Sequence, residues 1–504
     1  MNVLKSLDDV DYRGNTHCGC AHRCTYYAKS LLDISASVLV RNLPAIEYAV
    51  TFMPAELYEP LMRACVLGSH LLASRELVWN WPFRVMNFKN LLPADNPVCR
   101  QKLKYAFREY EKCIGSIIIR TIGDLKNEKL KLVDLRDFDL DQRMTNVIGL
   151  IAAKPLLERD QVEGRDRLIT LAEKAIRLQP LSEPPAEDPL ILHVDCVVEQ
   201  DNVDVVTVAM AVHRVSPISM KCCKLVAKHI GFMKLIGILR SLDPDYCQGV
   251  NITMNSLQCT GLLNILPDLV KLKKLKALGI SYNLLDFTKE GAVFQRAAGA
   301  LKNALAGFHY LNRLDLSNNR IGGSLKKLIS NIKQRLEYLD LSMCSLTDDD
   351  LEYLGTCDRI GVLRELDLSR NNLSREPELL YKLIRHIEGS VEHLSLNRCQ
   401  LFKVDHLGHR LSLACRSCLK LRTISVMQNR LKEDDYLNIM EKCTLITSVD
   451  NLYISMPVDH FDGEGNLIEE RKRQFFENVK RVLHENSSTA NQHFCLNMDE
   501  QDQD

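Results

Sequence analysis

The amino-acid sequence predicts an α/β fold: a leucine-rich-repeat solenoid, a horseshoe of ribonuclease-inhibitor-like repeats, preceded by a small helical N-terminal region. The pattern L-x-x-L-x-L-x-x-N/C-x-L recurs along the chain, with other apolar residues at some leucine positions. Successive copies begin 25 to 36 residues apart, which leaves room for a strand and a helix in each repeat. The eight copies begin at Val215, Cys247, Leu275, Leu311, Leu336, Leu363, Val391 and Leu421.

Each copy predicts a short strand, a turn and a helix. Alternating leucines within the pattern face a core, so the residues between them face outward. The Asn or Cys turns the chain off the strand, and a buried side-chain donor there can satisfy backbone carbonyls. Helical spacing follows at Leu325, Leu328 and Ile329, and the run from Thr347 to Asp350 predicts a helix cap. One repeat cannot bury its apolar face alone, so neighbouring repeats must stack.

The outward strand positions predict a partner-binding surface on the concave face of the sheet. These positions carry both signs of charge and few aromatic side chains, whereas interaction hot spots are usually aromatic residues or Arg. The pattern therefore predicts protein binding but does not identify the partner. The predicted partner-binding residues are Arg313, Tyr338, Arg364, Glu365 and His393.

Sequence on either side of the repeats differs in character. An imperfect copy from Leu130 has Phe138 in place of Asn or Cys, and His193 to Val198 is strand-like, which together predict an irregular cap. Apolar spacing from Arg471 to His484 predicts a final helix. The predicted divisions are a disordered tail at 1–25, a helical region at 26–125, an N-terminal cap at 126–214, repeats at 215–450, a C-terminal cap at 451–485 and a disordered acidic tail at 486–504.

Composition argues against several functional classes. Lys plus Arg equals Asp plus Glu, 65 each, whereas a nucleic-acid-binding protein normally carries a basic excess. The sequence has no run of 18 apolar residues and no signal-peptide core, so we expect no membrane association and a cytoplasmic location. The 18 cysteines are then expected to be free thiols.

Few residues suggest metal or catalytic chemistry. The segment His17–Cys24 is dense in thiols and imidazoles, but it lacks the C-x-x-C pairs typical of structural zinc sites. A polar tail is the favoured interpretation, and metal binding there stays open. Phosphate-binding loops, nucleophile elbows and H-E-x-x-H motifs do not occur. We therefore expect no enzyme activity, no catalytic residues, no cofactor and no metal.

Two short motifs lie in the helical region before the repeats. Leu31, Ser35 and Leu39 match the spacing of an elongin C-binding sequence and fall on one stripe of a helix. An ordinary helix that packs on the core explains the same spacing. About 20 residues further on, Met53-Pro54 followed by Leu57 resembles a cullin box of the cullin-2 kind.

Together these motifs resemble the PRAME family, and within it the branch called leucine-rich repeat-containing protein 14. The resemblance extends from Leu31 to Leu483, with the motifs in family order. The matching segments are Met53–Met62, Arg75–Phe83, Val194-Asp195, Cys222-Cys223, the repeat series and Met456–Phe461.

The resemblance implies a non-enzymatic adaptor that recognises substrates for a cullin-2 ubiquitin ligase through elongins B and C. As an alternative, the branch implies a cytoplasmic negative regulator of Toll-like receptor and NF-κB signalling. That regulator binds an IκB kinase subunit and disrupts its complex without ubiquitin transfer. Two departures are about 25 polar residues before the first motif, and a Ser where relatives have Cys. By position, the elongin C contacts are Leu31, Ser35 and Leu39, and the cullin contacts are Met53, Pro54 and Leu57.

Overall fold

Short parallel strands alternate with helices along most of the described chain. The computed structural model describes residues 30–68, 70–88, 129–137, 140–159, 188–211, 218–403, 407–446, 448–485 and 495–499. Contacts within the chain divide it into two units, with the boundary between Val250 and Asn251. The two units differ in how their strands end.

The first unit begins with four helices. Ser30 caps the first of them, because its Oγ accepts a hydrogen bond from the Asp33 amide at 3.1 Å and the Asp33 carboxylate accepts one from the Ser30 amide at 3.2 Å. Trp81 is buried behind these helices and donates through Nε1 to the Val85 carbonyl at 3.1 Å. The four helices are α1 (Leu31–Leu39), α2 (Leu43–Ala49), α3 (Tyr58–Gly68), which follows a 3₁₀ turn at Ala55–Leu57, and α4 (Leu71–Trp79).

Four strands of the first unit pair in parallel, each with the next along the chain. Within the part of this unit that the structure describes, three helices accompany these strands, and the strand predicted at His193–Val198 is present. The strands are β1 (Val85–Asn87), β2 (Leu132–Asp134), β3 (Leu190–Val198) and β4 (Ile218–Lys228), and the helices are α5 (Gln142–Arg159), α6 (Val203–Ala211) and α7 (Phe232–Ser241).

Strand β4 corrects the predicted first repeat. The repeat pattern places a turn at Cys223, but Cys223 lies inside this eleven-residue strand. Pairing with β3 shifts by one residue, so that Val194 pairs with Cys222 and Asp195 pairs with Lys224. Cys223 is therefore the extra residue of a β-bulge. Since β3 continues alongside, backbone groups beyond Cys223 find partners in the ladder, and no turn forms there.

The second unit contains the regular repeats and confirms the predicted leucine-rich-repeat solenoid. Its strands pair in parallel and in chain order, and their central apolar residues align in one row. Leu278, Leu314, Leu339, Leu366, Leu394, Ile424 and Leu452 form that row. All seven are buried, as the alternation predicts.

The strands and helices of the repeats vary in length. The strands are β5 (Gly249–Thr253), which spans the boundary, β6 (Ala277–Gly279), β7 (Arg313–Asp315), β8 (Tyr338–Asp340), β9 (Glu365–Asp367), β10 (His393–Ser395), β11 (Thr423–Ser425), β12 (Asn451–Ser455) and β13 (Cys495–Asp499). The helices are α8 (Gln258–Leu269), α9 (Ala292–Gly307), α10 (Leu325–Ile329), α11 (Asp348–Leu354), α12 (Pro377–Ile387), α13 (Leu407–Cys415), α14 (Glu433–Thr444) and α15 (Glu469–Glu485), with 3₁₀ turns at Leu401–Lys403 and Val458–His460.

Buried asparagines at the strand ends join each repeat to the one before it. Asn371 donates through Nδ2 to the carbonyls of Leu341 at 2.8 Å and Leu368 at 2.9 Å. Its Oδ1 accepts hydrogen bonds from the amides of Cys344 and Leu346, both at 3.1 Å. One side chain thus satisfies four backbone groups that the turns remove from the sheet. Asn283, Asn319 and Asn429 likewise bond backbone groups of the repeat before them.

Cysteines take the asparagine position in two repeats. The thiols of Cys344 and Cys399 donate to the carbonyls of Leu316 at 3.3 Å and Leu368 at 3.4 Å. Burial raises the pKa of Cys399 to about 12 and also raises the pKa of Cys344. Both thiols therefore stay protonated and remain donors.

The predicted cap at Thr347–Asp350 is confirmed, and it serves two helices. Asp350 is buried and accepts a hydrogen bond from the Thr347 amide at 2.9 Å. The same carboxylate accepts from the amides of Gly323 at 2.7 Å and Leu325 at 3.1 Å in the preceding repeat. A negative charge at both helix N-termini is favoured by the helix dipoles.

Replacing Asn371 by Ala is expected to lower the free energy of unfolding by about 3–5 kcal/mol, because it strands four buried backbone groups. Asn372→Ala is the matched control, since the Asn372 side chain accepts from the amide and hydroxyl of Ser374 in its own turn. We expect that control to cost about 1 kcal/mol. Denaturant unfolding followed by far-ultraviolet circular dichroism measures both values. A similar loss of stability in the two variants would contradict the importance of the buried asparagines that join the repeats.

Gly322 lies where the chain of one repeat touches the next. A Cβ there would lie 2.1 Å from the Ser345 carbonyl oxygen, a backbone atom that cannot rotate away. We expect Gly322→Ala to destabilise the repeats by about 3 kcal/mol. Gly299, inside α9, has open space, so Gly299→Ala should stabilise by about 0.5–1 kcal/mol. Thermal unfolding of the two variants should therefore shift in opposite directions.

Candidate protein-interaction surfaces

Four of the five predicted concave-face residues lie on neighbouring strands, Arg364 directly precedes β9, and several of the five contact one another. The Arg313 guanidinium is 4.4 Å from the centre of the Tyr338 ring and 3.4 Å from Glu365 Oε1. Glu365 pairs in register with His393 on the next strand. Arg364 contacts Glu392 instead, with Nε 2.8 Å from Oε1. The structure brings these residues together, and their role in binding a partner stays a prediction.

Tyr338 differs from the predicted exposure. It is 4% exposed, because its ring lies beneath Arg313 and its hydroxyl lies 3.4 Å from Asp340 Oδ2. Burial raises the pKa of Tyr338. Alternation correctly gives the side of the sheet on which Tyr338 lies, but long neighbouring side chains cover it there. Its hydroxyl is therefore not available at the surface.

Three aspartates line the same side of the sheet in adjacent registers. Asp315, Asp340 and Asp367 pair side by side on β7, β8 and β9, and all three are buried. Each Oδ1 accepts a hydrogen bond from the amide two residues later, at 2.8 to 2.9 Å. These carboxylates shape the end of each strand, and Arg313 and Arg364 are the cations that face outward beside them.

A cavity of about 750 Å³ lies at the turns that follow the strands, away from the predicted strand positions. Residues just before the Asn or Cys of each repeat adopt positive φ there, for example Met343 at 56° and Arg370 at 60°. This backbone conformation directs their side chains outward beside the cavity. The residue pattern did not predict this surface, although the position before each Asn or Cys, which Met343 and Arg370 occupy, was a usable signal. The cavity includes Leu284, Lys289, Phe294, Arg320, Met343 and Arg370.

The proposed elongin-binding residues lie on the outer side of α1. Leu31 is 81% exposed, and Ser35 is exposed with its hydroxyl donating to the Leu31 carbonyl at 2.8 Å. Leu39 is half-buried. The buried side of α1 carries Ala36 together with the neighbouring Val40.

The proposed cullin-binding residues lie at the turn before α3. Pro54 is exposed, whereas Met53 and Leu57 are half-buried. The chain is held there by the Met53 amide, which donates to the Ala49 carbonyl at 2.9 Å. Tyr58 also fixes the turn, because its hydroxyl donates to the Val50 carbonyl at 3.2 Å.

A polar cluster on β2 to β4 of the first unit was not singled out by the sequence. Asp134 and Arg136 form a two-contact ion pair at 2.6 and 2.8 Å. His193 pairs in register with Asp134, and its ring centre lies 4.7 Å from that of Tyr246. Burial, with the positive charges of Arg136 and Lys221, lowers the pKa of His193 to about 4. The Asp134–Arg136 pair is distant in sequence from His193 and Tyr246, so only the pairing of the strands brings these groups together.

The low pKa of His193 predicts acid sensitivity of the first unit. In the unfolded chain His193 takes up a proton near pH 6.5, but in the folded chain only near pH 4. Stability is therefore lost as the pH falls through this window, since protons favour the unfolded chain. We expect the urea midpoint to fall by roughly 0.3 M between pH 7 and pH 5 because of this group.

Both tryptophans, Trp79 and Trp81, lie in the first unit, so their fluorescence reports its unfolding. His193→Gln should reduce this pH dependence. His229→Asn is the control, because His229 is exposed and Asn tolerates its positive φ of 51°. An unchanged pH dependence in His193→Gln would contradict the assignment.

No group of three or more His, Cys, Asp or Glu residues positioned for a metal ion occurs in the described parts of the chain. The segment His17–Cys24 lies outside the described residues. Among the helices that the structure describes, none is long and apolar enough to cross a membrane.

Comparison with known families assigns the chain on its repeat region. Residues 191–497, more than half of the chain, match the model of the family described as PRAME C-terminal domain. The chain belongs to the PRAME family. This PRAME-family chain has a leucine-rich-repeat fold, and fold and family together indicate a role in binding other proteins.

Several relatives of this PRAME-family chain are named Leucine-rich repeat-containing protein 14. The one from Xenopus laevis is 26% identical over 454 residues, which is 86% of this chain and 88% of the relative. The one from Homo sapiens is 23% identical over 441 residues, with the same coverage of each chain. The crystal structure of the leucine-rich repeat-containing protein LegL7 from Legionella pneumophila is 16% identical, with a TM-score of 0.34 over 62% of this chain and 93% of its own.

Proposed function

We propose that this protein is the substrate-recognition subunit of a cullin-2 ubiquitin ligase and that it docks through elongins B and C. A row of exposed apolar side chains on α1 carries the proposal. Leu31 is 81% and Val38 63% exposed, and Leu32 and Ile34 are also exposed. Apolar area of this kind on a surface helix is typical of a protein-binding site.

The position of Leu31 favours docking over an ordinary core helix. A helix that used the Leu31, Ser35 and Leu39 stripe for its own core would bury Leu31 most deeply. Here small side chains, Ala36 and Val40, face the interior. The Ser30 cap and an Arg63–Asp33 contact at 3.6 Å hold α1 in place without using Leu31.

The turn before α3 supports the cullin part of the proposal. Its backbone is fixed by internal hydrogen bonds, while Pro54 remains exposed and Met53 and Leu57 remain partly accessible. A rigid turn with accessible apolar atoms loses little conformational entropy when a partner binds.

The repeats would then hold the substrate. The strand face offers polar and charged side chains that can donate or accept hydrogen bonds: Arg313, Arg364, Glu365 and His393. The buried Tyr338 ring packs against the Arg313 guanidinium. Repeat proteins use such extended surfaces for protein recognition. We assign substrate binding to the second unit, which contains the repeats, and ligase docking to the first unit.

Co-expression with elongins B and C and cullin-2, followed by size-exclusion chromatography, tests the proposal. Leu31→Ala is expected to weaken co-elution by about tenfold or more, because it removes an apolar anchor. Leu72→Ala is the matched control, since Leu72 on α4 is 47% exposed and lies outside both motifs. Equal co-elution of parent and Leu31→Ala would refute the elongin assignment.

Measuring partner lifetime separates ligase action from simple occupation. Ligase action predicts that a bound substrate turns over faster with the parent than with Leu31→Ala. If the protein instead disrupts an IκB kinase complex without altering the lifetime of its subunits, the regulator of NF-κB signalling is the correct function. That outcome would leave protein binding by the repeats intact.

A further inference from the structure

The arginines and lysines of the second unit differ in how closely they already contact carboxylates. On the strand face, Arg313 lies against Glu365, and Arg364 makes two contacts with Glu392 at 2.8 and 3.1 Å. The Glu392 pKa is lowered by its hydrogen bond to Arg364. A partner that recruited these arginines would first have to displace their carboxylates.

The cations at the turns that follow the strands contact carboxylates less closely. Lys289 and Arg320 share one carboxylate, Asp286, and each lies 3.7 Å from it, beyond a normal hydrogen bond. Asp286 itself accepts from the hydroxyl of Thr288 at 2.6 Å and from its amide at 3.1 Å. Both of these bonds go to Oδ1, whereas the two cations face Oδ2 at 3.7 Å, too far for a hydrogen bond, so they keep donors for another acceptor.

Arg370 extends this group of cations by two repeats. Its Nη1 lies 3.8 Å from the Met343 sulfur, a weak acceptor. Arg320 follows β7 and Arg370 follows β9, two strands apart. At the usual spacing of neighbouring strands this separation is about 10 Å, or three residues of an extended chain. Three cations and one carboxylate therefore line the cavity in a chain whose formal net charge is +0.

Apolar side chains line the same cavity as these cations, and Met343 follows β8, the strand between those that precede Arg320 and Arg370. Leu284 is 64% exposed and holds a positive φ of 57°, a conformation that Leu rarely adopts. Phe294 and Met343 are half-buried in the cavity wall. We name the set Leu284, Lys289, Phe294, Arg320, Met343 and Arg370 the turn-edge groove.

We propose that the turn-edge groove binds an acidic segment of a partner protein, with two carboxylates on Arg320 and Arg370 and an apolar side chain between them. Charge complementarity favours this occupant, because the groove has an excess of cations. A purely polar anion would leave Leu284, Phe294 and Met343 uncovered. This inference deepens the proposed function, since it rests on the repeats holding the partner, and it moves the main contact from the strand face to the turns.

Fluorescence anisotropy tests the proposal with a fluorescein-labelled peptide, Glu-Glu-Leu-Glu-Glu-Phe repeated twice. We expect the full-length protein to bind it, with an affinity that falls as salt rises. Arg320→Glu with Arg370→Glu should weaken binding by about tenfold or more. The matched control is Arg416→Glu with Lys420→Glu, which makes the same charge change at exposed residues outside the groove and should bind like the parent.

Two further arms test the apolar part and the occupant. Leu284→Asn keeps the charge and suits the positive φ, so it should fold normally and bind severalfold more weakly. A peptide of glutamates alone should also bind more weakly than the mixed peptide. Equal binding of the glutamate peptide, equal loss in the control variant, or no binding by the parent overturns the proposal.

Other occupants of the turn-edge groove would give different experimental results. A dimer of the protein that Arg320→Glu with Arg370→Glu dissolves, seen by analytical ultracentrifugation, would make a second copy the occupant and overturn the assignment. Leu31→Ala should bind the peptide like the parent, and the groove variant should still co-elute with elongins. Failure of the groove is therefore distinguishable from failure of ligase docking.

Discussion

A buried asparagine or cysteine side chain at the end of each regular repeat strand is the interaction on which the repeat unit depends. The turn takes backbone groups out of the sheet, and burying them without partners costs about 1–3 kcal/mol each. Asn371 meets this cost for two repeats at once, because it donates to the strand and accepts from the turn of the repeat before it. Cys344 donates through its thiol to the Leu316 carbonyl, and its backbone carbonyl, rather than its side chain, accepts from the Ile321 amide of the repeat before it.

The same constraint decides which side chains the repeats present. Closing the turn around the amide puts the preceding residue at positive φ, so that side chain points away from the core. On the strand face, by contrast, neighbours lie about 4.8 Å apart and long side chains pair with one another. Arg313 covers Tyr338 and contacts Glu365 for this reason. Arg370 is one such residue at the turns, whereas Arg313 on the strand face is paired with Glu365.

The first unit satisfies its backbone hydrogen-bonding groups in a different way. Its long strands β3 and β4 keep pairing beyond the point where a regular repeat turns, and Cys223 is absorbed in a bulge. Continued pairing brings His193 beside Asp134 and Tyr246, so this unit has a half-buried polar face. Its helices leave Leu31 at the surface, and in our proposal this unit docks on the ligase while the repeats hold the partner.

The sequence alone determined the features that depend on neighbouring residues. Strand alternation, the turn at each Asn and the cap from Thr347 to Asp350 follow from local spacing, and the structure has all three. The tertiary structure decided the burial of Tyr338, the bulge at Cys223 and the meeting of Lys289 with Arg320 and Arg370. Those features depend on which side chains of different repeats lie opposite one another. Because the repeats vary in length, the spacing of residues along the sequence does not specify which of them become neighbours. The pairing of the strands determines it.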